Sequence, residues 1–194
     1  MRPRYGCDMV GTKGGRPVKI RLWTIQHADA WTALQHDGVL RGSPDRVWAD
    51  FRSAYDWMAA QLEQRIGPPP EGVRYPLWAW YQWEGRRGRR DLRQSGYGVR
   101  GTPMVQIEFE IDAAQVLLSD FDRWNTVLGG GYLALDEADF EKRTSSVEAT
   151  WERIFDLDRR TPGWDPPPEE QSVQAVFWEL HLDQVRKVKH FTAK

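Results

Sequence analysis

The sequence predicts an α+β fold in a single domain, and three observations carry that prediction. Residues 173–185 alternate in side-chain character as a strand does, residues 104–112 alternate more cleanly still, and residues 43–67 recur at helical spacing between a Ser-Pro start and a glycine. Helix signals fall early and in the middle, and strand signals concentrate late. At 194 residues the chain can bury one substantial core.

The elements follow in order. Residues 1–18 are rich in Gly, Pro and Arg and read as a flexible extension before a domain spanning 19–194. Ile20 to Gln26 suits a first strand, and Asp29 to His36 a helix closed by Gly38. Ser43 offers an N-cap and Pro44 a first helical position, with Val47, Phe51, Tyr55, Met58 and Leu62 facing inward as far as Gly67. Pro68 to Pro70 end that helix, and the aromatic run Leu77 to Trp83 is a second strand. An exposed basic loop follows, carrying Arg86, Arg87, Arg89, Arg90, Arg93 and Arg100.

Met104 to Asp112 is a half-buried strand, with Val105, Ile107, Phe109 and Ile111 inward and Gln106, Glu108 and Glu110 toward solvent. Val116 to Leu118 is a short strand, Phe121 to Leu128 a short helix and Gly129 to Gly131 a turn. Asp136 to Leu157 reads as one helix with Phe140, Val147, Trp151, Ile154 and Phe155 inside. The proline-rich residues 158–170 form a loop, and Val173 to Asp183 with Val185 to Phe191 make a terminal strand pair.

Charge and composition narrow the function. Twenty-seven basic against twenty-eight acidic residues give a net charge of -1, so no global field favours duplex DNA or an anionic membrane. No apolar run reaches the roughly 18 residues of a spanning helix, and residues 1–17 carry no apolar leader core, so a cytoplasmic protein without a membrane partner is expected. The lone Cys7 excludes an internal disulfide and a cysteine-rich zinc site. P-loop, dinucleotide glycine fingerprint, nucleophile elbow and His-Glu-x-x-His are all absent. Eleven tryptophans are expected mainly as core, although Trp78, Trp80 and Trp83 crowd one segment where a flat ligand could stack.

Glu179 is the candidate catalytic residue. Strand alternation sets it on one face with Phe177 and His181, and a carboxylate among apolar and aromatic groups suits chemistry, while pairing with Arg186 or Lys187 is the structural alternative. Glu108, Glu110, Asp120 and Asp122 supply oxygen atoms for a further reading, a metal-dependent hydrolase. Arg89, Arg90 and Arg93, beside Tyr81, Trp83 and Tyr97, suit a pyrophosphate or a single-stranded nucleic acid.

Two resemblances add to this. Leu22-Trp-Thr-Ile-Gln26 with Trp31 and Gly38, Tyr75-Pro-Leu-Trp-Ala-Trp-Tyr-Gln82, Leu117-Leu-Ser-Asp-Phe-Asp-Arg-Trp124 and Trp178-Glu179 together resemble a bacterial family known only as a domain of unknown function, over about residues 20–191. More distantly, a first strand, an immediate helix ending in glycine, an aromatic second strand and a late strand with glutamate resemble the ADP-ribosyltransferase superfamily. Thr24 stands where that superfamily has His or Arg, and Gln174-Ala175 precede Glu179 at a spacing that differs from its pattern. The resemblance implies a split, mostly antiparallel sheet with flanking helices and an NAD-consuming transferase. Glu179 would be catalytic, and Thr24, Gln26, His27, Tyr81, Arg90 and Arg93 would bind NAD; the acceptor stays open among protein, nucleic acid and small molecule. The alternative is a non-catalytic nucleotide- or RNA-binding module.

Overall fold

The computed structural model describes residues 17–194, so Cys7 and nearly all of the expected extension lie outside the described residues. The first strand, β1 (Lys19–His27), continues directly into α1 (Ala28–Asp37), whose C-cap Gly38 adopts φ 75° and donates its N–H to the Leu34 carbonyl. That left-handed turn costs a glycine little. It sends the chain into β2 (Val39–Arg41).

After two short 3-10 turns come α2 (Arg52–Arg65), β3 (Leu77–Gln82), β4 (Pro103–Asp112) and β5 (Leu117–Asp120). Then follow α3 (Phe121–Leu128), α4 (Glu137–Lys142), α5 (Val147–Trp151), β6 (Val173–Phe177), β7 (Glu179–His181) and β8 (Val185–Thr192). Six strands form one sheet in the order β5-β6-β3-β1-β4-β8, and β2 pairs with β7 in a separate ribbon. Every strand pairing is antiparallel.

Both sheet faces are covered, which explains why the strands are apolar on alternate and even consecutive residues. On one face Leu22, Leu77, Ala79, Val105, Ile107, Phe109, Ala175 and Phe177 pack with Leu34 of α1 and with Leu40 and Leu180 of the ribbon. On the other, Val176 and Trp178 join Ala54, Met58 and Leu62 of α2, Trp124 and Val127 of α3, and Trp151 and Ile154. The tryptophans of this second core pack at angles, Trp78 against Trp124 at 4.7 Å and Trp57 against Trp151 at 5.5 Å between ring centroids.

The seam between β1 and β3 is the thinnest in the sheet. Trp23 opposite Trp80 is its one register pair, whereas β1 stays paired with β4 from Lys19 opposite Asp112 to His27 opposite Met104. Arg87 occupies the divergence. Its Nη1 donates to the Tyr81 carbonyl at 2.6 Å, its Nη2 donates to the Arg21 carbonyl at 3.1 Å, and its guanidinium carbon sits 3.4 Å from the Tyr81 ring centroid.

Several expectations are corrected by this arrangement. The terminal strands are not a pair: β7 joins β2, and β8 joins β4 at the sheet edge. Nor is residue range 173–183 one strand. Trp178 interrupts it, donating Nε1 to the Gly67 carbonyl at 2.9 Å, so that Leu180 falls in the same core as Phe177 against strict alternation.

The helix expected from Ser43 starts at Arg52, because the chain is extended at Val47 and Trp48 between the 3-10 turns. The helix expected over 136–157 is two short ones divided at Arg143, which takes φ 42°. Phe140 and Val147, expected inside, are exposed, while Trp151 and Ile154 are buried as expected. The spans of β1, β3, β4 and α3 match their sequence signals closely.

Candidate functional site

The end of β1 delivers Gln26 and His27 into a cavity of about 460 Å³. Beneath them Thr24 is 2 % exposed; its hydroxyl donates to the Trp78 carbonyl at 2.8 Å and accepts from Gln26 Nε2 at 2.7 Å. His27 caps α1, accepting the Asp29 N–H at its Nδ1. Thr24 therefore anchors and Gln26 and His27 line. The cavity is also lined by Arg41 at the end of β2, by Gly42 and Ser43 just after it, and by Arg46, Tyr55, Tyr75 and Trp78.

Gly42 sets part of that lining. A Cβ there would lie 2.2 Å from the Tyr75 carbonyl oxygen, so only glycine lets the segment after β2 lie against the start of β3. This contact aims the residues on either side, Arg41 and Ser43, at the cavity. The cavity also sits where the sequence strings Leu22–Gln26, Arg41–Ser43 and Tyr75–Trp78 converge.

Glu179 opens the ribbon strand opposite Arg41. Its Oε1 accepts from Arg41 Nε at 2.7 Å, and its Oε2 lies 3.4 Å from His181 Nε2; its side chain is 17 % exposed. The alternative partner Arg186 instead bonds Glu110, at 3.0 Å. Glu179 and His181 line a second cavity of about 320 Å³, walled by Ile66, Pro68, Ile111, Phe177 and Trp178. Arg41 thus links the Gln26–His27 cavity to Glu179.

Three other candidates lie elsewhere. Tyr81 is covered by Arg87. Arg93 forms a fork with Asp91, whose pKa is lowered to about 2 by the Arg93 side chain and backbone N–H. Arg90 sits 3.3 Å from the Trp83 ring centroid, near Trp80 and Tyr97, and burial pushes its pKa down. It borders an open cavity of about 860 Å³ whose wall also holds Phe121, Asp122, Glu169 and Glu170. The basic loop is therefore not simply solvated, since Arg87 and Arg90 fold back onto aromatic rings.

Three of the four carboxylates of the hydrolase reading are held by neighbours, and the fourth, Asp122, lines the open cavity beside Arg90. Glu108 lies beside Trp23 Nε1 and Arg21, Glu110 beside Arg21 and Arg186, and Asp120 caps α3 while accepting from Arg160 and Gln171. Among the described residues no group of three His, Cys, Asp or Glu is placed to hold a metal ion. Sequence reading missed Arg41, Ser43 and Arg46. The Arg-Gly-Ser string at 41–43, where a strand meets a turn, was the available signal.

These features define a single-domain α+β protein with an antiparallel sheet and a cavity of mixed polar and apolar lining at the end of its central strand. The chain belongs to the family described as Domain of unknown function (DUF3841), which it matches over residues 21–150. That span is narrower than the resemblance implied and includes the cavity walls but not Glu179. No curated protein and no solved structure matches the chain. No helix among the described residues is long and apolar enough to cross a membrane.

Proposed function

We propose that the protein is an NAD-consuming ADP-ribosyltransferase whose dinucleotide occupies the Gln26–His27 cavity. The observation that carries this reading is Arg41, which lines that cavity and holds the candidate carboxylate of Glu179. Cleavage of NAD breaks the bond between ribose C1′ and the nicotinamide nitrogen; nicotinamide leaves with the electron pair, C1′ bonds to the acceptor nucleophile, and the acceptor's proton is released. The transition state carries positive charge on the ribose. The Glu179 carboxylate, which lines the second cavity beyond Arg41, offsets that charge and accepts a hydrogen bond from a ribose hydroxyl where the nicotinamide ribose reaches past Arg41.

The test is nicotinamide release and label transfer from labelled NAD, with and without cell extract. Glu179→Gln is expected to fold normally and to lose at least about 10²-fold in turnover, the usual cost of a transition-state electrostatic contact. Turnover equal to that of the unsubstituted protein would remove Glu179 from the chemistry.

One observation favours a second reading, a nucleotide- or RNA-binding module without turnover. Glu179 and the Gln26–His27 pair line different cavities, and Arg90 offers a stacked cation beside Trp83 and Tyr97. Binding of nucleotide or RNA without nicotinamide release would establish it.

A further inference from the structure

Arg41 uses only part of its donor set. Nε is spent on Glu179, and neither Nη group makes a hydrogen bond or ion pair with another described residue. A guanidinium held by Nε presents its two Nη groups as a fixed fork, the geometry that matches two oxygens of a phosphate. The Arg46 guanidinium and the Ser43 hydroxyl line the same cavity and are likewise unbonded by side chain among the described residues. One opposing charge, Asp29, lines the same cavity; its side chain is 80 % exposed, and its Oδ2 lies 3.0 Å from His27 Nδ1, the atom that accepts the Asp29 N–H.

We infer that Arg41, Arg46 and Ser43 form a diphosphate-binding site, so that the ligand of this cavity is a nucleoside diphosphate or a dinucleotide carrying one. The inference rests on the cavity assignment made for the transferase reading and names the group by which the ligand is recognised. Glu179 then has a positioning role that does not depend on catalysis: it fixes the Arg41 fork toward the ligand. Gln26 and His27, which line the same cavity, are left for the sugar and base. Anion recognition here needs no helix terminus or metal. It uses two guanidinium groups, one of them held at Nε by Glu179, and no Nη group of either makes a hydrogen bond or ion pair with another described residue.

The experiment is calorimetric titration of the full chain with ADP, inorganic pyrophosphate and adenosine, alongside Arg41→Met, Arg46→Met and Glu179→Gln. ADP and pyrophosphate are expected to bind and adenosine to bind at least about tenfold more weakly, with each arginine substitution weakening ADP by about tenfold or more. Glu179→Gln, which replaces the charged acceptor that holds Arg41 Nε with a weaker neutral one, is expected to weaken ADP binding by less than either arginine substitution does. Thermal melts of each variant check that folding is intact.

Adenosine binding equal to ADP, ADP binding insensitive to both arginine substitutions, or no ADP binding would each overturn the inference. Arginine-dependent ADP binding without NAD cleavage would sustain it and end the transferase reading. Glu179-dependent NAD cleavage with ADP binding indifferent to Arg41 and Arg46 would do the reverse.

Discussion

Arg41 Nε lies 2.7 Å from Glu179 Oε1, and this ion pair joins the first residue of β7 to the last of β2 across 138 positions of sequence. Half of the Arg41 side chain is exposed, so screening keeps the pair weak. A double-mutant cycle with Arg41→Met and Glu179→Gln is expected to give a coupling energy of about 1 kcal/mol or less in chemical denaturation. A coupling well above that would make the pair a structural clasp, not a site.

Gly42 and Gly38 flank the same short strand and are glycines for different reasons. A Cβ at Gly42 meets the Tyr75 carbonyl at 2.2 Å, whereas one at Gly38 meets nothing within 4 Å and suffers only from φ 75°. Gly38→Ala is expected to cost about 1–2 kcal/mol, the left-handed penalty for a residue with a side chain. Gly42→Ala must move backbone and is expected to cost more, about 3 kcal/mol, and to weaken ligand binding as well. Urea denaturation of both variants ranks them, and the reverse order would refute the close-approach argument.

Arg87 closes the seam between β1 and β3 by donating to the Arg21 and Tyr81 carbonyls. Removing these charge-assisted bonds with Arg87→Met is expected to destabilise the fold by about 1–3 kcal/mol. Amide hydrogen exchange should then rise first in β1 and β3. Unchanged protection there would mean that the seam holds without the guanidinium.

Two aspartates near the start of β6 should respond oppositely to pH. Burial penalises the charge of Asp165, but hydrogen bonds from Arg123 and the Thr161 N–H outweigh it and hold the carboxyl below its ordinary range. Its contribution is present above the unfolded value of about 3.9 and is lost as pH falls toward the folded pKa. Asp165→Asn is therefore expected to lower Tm at pH 7 and to differ less from the parent near pH 3.

For Asp122, burial and then the nearby Asp120 push the pKa up, so folding disfavours its charged form. The penalty is present at pH 7 and disappears as pH falls below the unfolded value. Asp122 is exposed, so solvent screens the effect, and Asp122→Asn is expected to raise Tm only slightly at pH 7 and to leave it unchanged in acid. Calorimetry at both pH values checks the pair, and a fall in Tm for Asp122→Asn at pH 7 would contradict the burial argument.

Much of the local architecture was legible before folding. The pattern Val105, Ile107, Phe109 and Ile111 identified β4, Gly38 identified the end of α1, and Phe121 to Leu128 identified α3, because period and capping are written in consecutive residues. The site was legible only in pieces. Gln26 and His27 do meet in one cavity, and Glu179 is tied to it through Arg41, but Tyr81, Arg90 and Arg93 lie elsewhere on the sheet or its loop. Alternation misassigned Leu180 because it assumes an unbroken strand, and Trp178 breaks this one to reach the Gly67 carbonyl.

By itself, then, the sequence determined the class of fold, most of its strands and the presence of a late carboxylate worth testing, since those depend on side-chain periods and on residues a few positions apart. Which strands pair was decided only by tertiary structure: β8 across from β4, β7 beside β2, and β1 at the centre. The same is true of the cavity, whose cations come from the end of β2 and the 3-10 turn that follows, and which takes Gln26 and His27 from the end of β1. Long-range pairing is selected by which buried faces fit together, Phe177 against Phe109 and Leu180 beside Leu40, and no consecutive stretch of residues encodes that fit.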